Sequence, residues 1–166
     1  DVIQNCEVLG MDMVGGRVTG VQTTRGTIGA DRVGICVAGN SGQVAAMADL
    51  RLPIESHLLQ AFVSEPVKPM IDMVIMSQSI HAYVSQSDKG EIVMGGDPDL
   101  YPTYSQRGRP DRIEGVAGQC IALFPALSRL RMLRSWAGTT DMSFDGSPII
   151  GTTPVEGLYL NGGWCY

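Results

Sequence analysis

The chain has 166 residues, 44% of them hydrophobic and 17% charged, with a net charge of −5. That balance supports a substantial core with much of the chain buried, and it carries no Lys/Arg run or basic stripe of the kind a nucleic-acid binder needs. No apolar run approaches the roughly 18 residues of a membrane-spanning helix, and no signal-peptide pattern is present.

In chain order, residues 1–9 read as a strand, Gly15-Gly16 as a turn, 17–24 as a second strand, Arg25-Gly26 as a turn and 27–31 as a third strand, together a β-meander. Val33–Ala38 is a short apolar run without alternation, the pattern of a strand buried on both faces of a parallel sheet. Gly39-Asn-Ser-Gly42 then turns into a helix over 43–50, with Ser41 as its N-cap. Converging backbone N–H groups there would suit a polar or anionic ligand group.

The composition changes at Pro53. Residues 54–64, 73–78, 80–86 and 91–95 read as antiparallel strands, with Asp88-Lys-Gly90 turning the last pair. A Pro/Tyr/Gly/Arg loop over 98–110 leads into a helix from Pro110 to Phe124, proline being tolerated in the first turn. Ile113, Val116, Ala117, Cys120, Ile121 and Phe124 form one apolar stripe. Pro125 ends the helix, and 130–139 read as a strand returning to the first region. The fold class expected is α+β, in two interleaved domains: 1–50 with 136–166, and 51–135 as an antiparallel sheet with one helix.

The four cysteines, at 6, 36, 120 and 165, form no CxxC pair and no Cys/His zinc set, so no metal site is expected. The lack of a disulfide pattern points to a reducing compartment, the cytoplasm. Cys36 and Cys120 lie in apolar stretches and read as core thiols. A GxGxxG fingerprint is absent, because Gly15, Gly16 and Gly20 lack its spacing and no helix follows. The chain starts at Asp1 and both ends look cut, so it reads as a fragment.

In His81-Ala-Tyr-Val-Ser85, alternation puts His81, Tyr83 and Ser85 on one strand face. That face is either solvated or a substrate wall. His57 reads as a partly exposed strand residue, and Arg107-Gly-Arg109 as a solvated loop. The C-terminal stretch has a strand from Trp136, a tight Asp145-Gly146 turn, a Pro148-Ile-Ile-Gly151 connection and a last strand running into Gly162-Gly163. Asp145 caps its own turn rather than forming an acid–base pair with Asp141.

Trp136-Ala-Gly138, Asp145-Gly-Ser-Pro-Ile-Ile-Gly151 and Gly157-Leu-Tyr-Leu-Asn-Gly-Gly163 resemble the C-terminal flavin-contacting segment of the D-amino-acid oxidase superfamily of FAD-dependent oxidoreductases. Val37-Ala-Gly-Asn-Ser-Gly-Gln43 resembles the family segment that closes over the flavin, departing from it at Asn40, where the family carries an aromatic residue. Asn5-Cys-Glu-Val8 is similar to the strand whose valine pairs with the adenine. The tracts Ser79–Gly90 and Tyr104–Gly108 look most like the beta-subunit family of heterotetrameric sarcosine oxidases.

The resemblance implies a D-amino-acid-oxidase-like fold and FAD as cofactor, contacted by Val8, Ala38, Gly39, Gly138, Gly162, Gly163 and Trp164. The glycines would let backbone approach a flat ring without a Cβ between. It implies His81 and Tyr83 as the catalytic pair that orients the amine. The reaction implied is oxidation of an N-methyl amino acid, sarcosine to glycine and formaldehyde with oxygen as acceptor. Dimethylglycine or another D-/N-methyl amino acid is the alternative substrate, and a non-catalytic assembly module the alternative class. The family pattern puts the dinucleotide motif, a substrate-carboxylate arginine and the FMN attachment site before residue 1, and a flavin lysine after Tyr166. It allows FMN and tetrahydrofolate in the complete assembly, with other sarcosine oxidase subunits as partners. The fragment alone is expected to be silent.

Overall fold

The computed structural model describes residues 1–165, so the final residue of the expected 136–166 segment lies outside the described residues. The elements are strands β1 (Val8–Val14), β2 (Arg17–Thr23), β3 (Gly26–Gly29) and β4 (Val33–Ile35), a 3-10 turn (Ala38–Asn40), helix α1 (Ser41–Ala46), and strands β5 (Ile54–Pro66), β6 (Ile75–Ser77), β7 (Ala82–Gln86) and β8 (Glu91–Gly96). Helix α2 (Pro110–Leu123), a second 3-10 turn (Pro125–Arg129), and strands β9 (Met132–Ser143), β10 (Ile149–Thr152) and β11 (Leu158–Gly162) follow. The architecture is α+β. The chain divides into two compact units, residues 1–56 with 140–166 and residues 57–139.

In the first unit, β1, β2 and β3 form an antiparallel meander. β1 starts at Val8 rather than at residue 1. Asn5 has a left-handed backbone, φ 52°, and the Glu7 N–H donates to Thr24 Oγ1 at 3.1 Å instead of to a ladder partner. A second sheet has the order β10-β11-β4, with β11 antiparallel to β10 and parallel to β4. The parallel pairing agrees with the apolar run at 33–38, but its burial on both faces does not hold. β4 is three residues long and stands at the sheet edge, so only Ile35 is buried, while Cys36 and Val37 are exposed. Cys36 is therefore a surface thiol. The core here is Met11, Val18, Ile35, Ala45, Ala48, Leu158 and Leu160.

Helix α1 is a six-residue helix rather than one over 43–50. Asn40, not Ser41, occupies its N-cap position, without a side-chain cap. No helix among the described residues is long and apolar enough to cross a membrane.

The second unit is a five-stranded sheet in the order β6-β7-β8-β5-β9. Phe62, Ala82, Val84, Ile92 and Met94 pack on one sheet face against Val116 and Cys120 of α2 and Leu127 beyond it. The α2 stripe forms as its periodicity predicts, with Ile113, Ala117 and Phe124 packed on the cluster, except that Ile121 is exposed and Leu123 packs in its stead. Val116→Ala should cost about 2 kcal/mol of stability through a small core cavity, measured by denaturation of the full-length protein.

Burial pushes the Cys120 thiol from 9.0 up to about 11. The folded state holds this proton more tightly than the unfolded chain. Its contribution is therefore complete below the unfolded value and lost as pH rises from 9.0 through about 11. The thermal midpoint should fall across that window, and less steeply in Cys120→Ala. Equal slopes would assign the fall to other groups.

Candidate functional site

The residues singled out from the sequence are divided between the two units. In the first unit, the 3-10 turn places Ala38 in the left-handed region, φ 46°, with Gly39 buried beside it. The Ser56 hydroxyl donates to the Gly39 carbonyl and pins this turn. Ser41 follows at the start of α1, fully buried, and its Oγ has no hydrogen-bond partner. Leaving a buried hydroxyl unpaired is costly.

β11 brings Gly162 to the same place. A Cβ on Gly162 would stand 3.1 Å from Ser41 Oγ and 3.3 Å from Asp141 Oδ2. Gly163 has φ 78°, and its N–H donates to the buried Asp141 carboxylate at 2.5 Å. Trp164 leaves its ring half exposed, with Nε1 donating to Asn161 Oδ1 at 2.7 Å. Ser41, Gly162 and Gly163 thus form one cradle. Val8 sits apart from it at the start of β1, opposite Thr23.

Asp145 plays the turn-capping role expected of it, accepting from the Ser147 N–H at 3.0 Å. Asp141 has a different part, and sequence reasoning missed it. The one signal was a charged residue on the same strand face as Ser143, two positions on, in a strand otherwise poor in charge.

In the second unit, β7 starts at Ala82, which corrects the grouping of His81 with Tyr83 and Ser85 on one strand. His81 is the turn residue before the strand, with φ 47°. Its Nδ1 lies 3.2 Å from Asp97 Oδ1, and both side chains are substantially exposed. Such a pair orients more than it stabilises. Ala82 and Val84 face α2, so Tyr83 and Ser85 face away from it.

Tyr83 pairs in register with Gly95 of β8. Its ring lies flat across that glycine: a Cβ on Gly95 would come within 2.3 Å of Tyr83 Cζ and Oη. Burial first, and then the Cys120 thiol, raise the Tyr83 phenol above its usual value. Gly138, also in this unit, faces open space, with no protein atom beyond its chain neighbours within 4 Å of where a Cβ would stand.

The 98–110 loop is fastened rather than merely solvated. Arg109 donates to Asp99 Oδ2 at 2.9 Å and to Asp111 Oδ2 at 2.8 Å, while its N–H donates to Gln60 Oε1 at 2.8 Å. His57 Nδ1 lies 2.7 Å from the Asp99 carbonyl. No group of three His, Cys, Asp or Glu among the described residues could hold a metal ion.

The family model for FAD dependent oxidoreductases matches residues 1–166. The chain belongs to this FAD-dependent oxidoreductase family. Within the family it is 60% identical over 166 residues to sarcosine oxidase subunit beta of Rhizobium meliloti (strain 1021), covering 100% of this chain and 40% of that protein. It is 52% identical over 164 residues to sarcosine oxidase subunit beta of Rhodobacter capsulatus, covering 99% of this chain and 40% of that protein. Among solved structures it is similar to L-proline dehydrogenase from P. horikoshii, with a TM-score of 0.87 and 28% identity over 96% of this chain and 44% of that one. The chain thus spans about 40% of the length of these curated relatives.

The residues of this FAD-dependent oxidoreductase chain fit part of a flavin site. The unpartnered Ser41 hydroxyl offers a buried polar contact beside Gly162, whose Cα side, like that of Gly163, is packed on Ser41, Asp141, Ile54 and Ser143 of this chain.

Proposed function

We propose that this chain is the ring-contacting and substrate-contacting part of an FAD-dependent amine oxidase acting on sarcosine. The observation that carries the reading is the 60% identity to sarcosine oxidase subunit beta across the whole chain. On this reading residues 1–50 with 136–166 are the FAD-binding portion and 51–135 the substrate-binding portion.

Ala38, Gly39, Gly138, Gly162, Gly163 and Trp164 would hold the flavin ring, and Val8 the adenine. Bound FAD supplies the two-electron acceptor for oxidation of the CH–NH bond. The chain's own work is to bind and to orient. Tyr83, spread over Gly95, presents a hydroxyl to the substrate amine. His81, steadied by Asp97, presents a second polar group. Both would favour the neutral amine, whose free lone pair oxidation requires.

Sarcosine, water and oxygen would yield glycine, formaldehyde and hydrogen peroxide, the imine being hydrolysed and oxygen taking the electron pair, in a cytoplasmic assembly with other subunits, FMN and tetrahydrofolate. Assay of the full-length protein on sarcosine and dimethylglycine tests this. Higher kcat/KM on sarcosine supports the reading. Preference for dimethylglycine reassigns the substrate, and flavin binding without turnover on any amine leaves an assembly module.

Tyr83→Phe should lower turnover or raise the kinetic pKa with flavin still bound, and His81→Gln should act in the same direction. If both variants keep native sarcosine kinetics from about pH 6 to 10, a span covering ordinary His and amine values, that sheet face is structural.

A further inference from the structure

The segment after β11 is held to β9 at three points. The Gly163 N–H donates to Asp141 Oδ2 at 2.5 Å, and the Cys165 N–H donates to the Asp141 carbonyl at 2.9 Å. The Ser143 hydroxyl lies 3.6 Å from the Cys165 thiol, which also reaches the Gly163 carbonyl at 3.5 Å.

This segment does not hold its shape by local preference. Gly163 has φ 78° and Cys165 φ 69°. For Cys165, which has a Cβ, that conformation is strained and needs its surroundings to impose it. Asp141 supplies the restraint twice, once with its side chain and once with its backbone.

The carboxylate is itself buried, 3% exposed. A charge removed from water is stable only when donors replace the lost hydration, and a backbone N–H aimed at a carboxylate makes a strong, short bond. The turn therefore needs Asp141, and Asp141 needs the turn. Gly162 packs against the same Oδ2, 3.3 Å from where its Cβ would be, so the carboxylate underlies the whole Gly162-Gly163 bend.

We propose that Asp141 is a positioning residue that locks the Gly162–Cys165 turn, and through it the backbone surface offered to the flavin. The proposal rests on the FAD reading above. Asp141 acts from beneath the backbone, through the N–H of Gly163, and needs no contact with the cofactor.

The test uses the full-length protein and three readouts: FAD Kd by titration of the apoprotein, the visible spectrum of the bound flavin, and the thermal midpoint of the apoprotein. Asp141→Ala should raise the FAD Kd about tenfold, the size of one lost charge-assisted hydrogen bond. It should also shift the flavin band. Asp141→Asn keeps an acceptor oxygen and should stay within about threefold of the native Kd. If Asp141→Ala yields no folded apoprotein, Asp141→Ser, one bond too short to reach the amide, takes its place.

A native Kd and spectrum in Asp141→Ala would overturn the proposal. So would an Asn variant as weak as the Ala variant, which would assign the effect to charge rather than to the hydrogen bond. Native full-length protein that takes up no FAD would instead sink the FAD reading itself, a result distinguishable from either.

Discussion

Gly163→Val and Gly138→Val in the full-length protein should each lower flavin occupancy at least about tenfold, the scale of one lost close backbone contact together with local strain. Val116→Ala should lose stability and keep its flavin. The two glycine variants act for different reasons. At Gly163 the left-handed backbone, φ 78°, disfavours a β-branched residue, and a Cβ would press Ser143 Cβ at 3.3 Å. At Gly138 a Cβ would meet no atom of this chain within 4 Å beyond its own neighbours, so valine there has no internal clash. A drop in flavin content at Gly138→Val with an unchanged apoprotein midpoint would therefore report an approaching group from outside the chain. Equal flavin content in all three variants would argue against the ring-contact assignment at both glycines.

The second large effect should come from a single methyl group. Gly95→Ala puts a carbon 2.3 Å from Tyr83 Cζ and Oη. The obstructing atoms are the far end of a side chain, so the ring swings away and the backbone stays. On the substrate-contact reading proposed for Tyr83, kcat/KM on sarcosine should fall about tenfold or more, the low end of what misplacing a proton-handling group costs. Flavin content and thermal midpoint should stay near native. Comparison with Tyr83→Phe separates position from chemistry: the alanine variant keeps the hydroxyl and misplaces it, while the phenylalanine variant keeps the ring and lacks it. Native kinetics in Gly95→Ala would mean that the site of this ring does not matter.

The elements legible in the sequence were those whose own residues decide them. The α2 stripe is written in its spacing, and Cys120 and Val116 are buried as that spacing requires. The antiparallel strands from β5 to β8 announce themselves through alternation and the Asp88–Gly90 turn. The run at 33–38 was legible as a strand but not as an edge, because burial depends on neighbours that a local pattern does not contain. His81 shows the same limit: alternation placed it on β7, while a left-handed backbone put it in the turn before. Close approach of the backbone was legible at Gly162 and Gly163, where a Cβ would crowd Ser41, Asp141 or Ser143. Asp141 was not, since a carboxylate serving one distant amide leaves no spacing to read.

The chain leaves the first unit within β5 and comes back to it within β9, and these two strands are neighbours in one sheet. The 57–139 segment is thus a cassette whose two ends are stitched side by side by backbone hydrogen bonds. A cassette closed in this way can be exchanged, lengthened or rebuilt between its ends without moving the anchoring points of the surrounding chain. The sequence between those ends can then diverge among descendants of one ancestor while the flanking unit changes little. For engineering, it makes the pair β5 and β9 the natural seam for grafting a different specificity onto this chain.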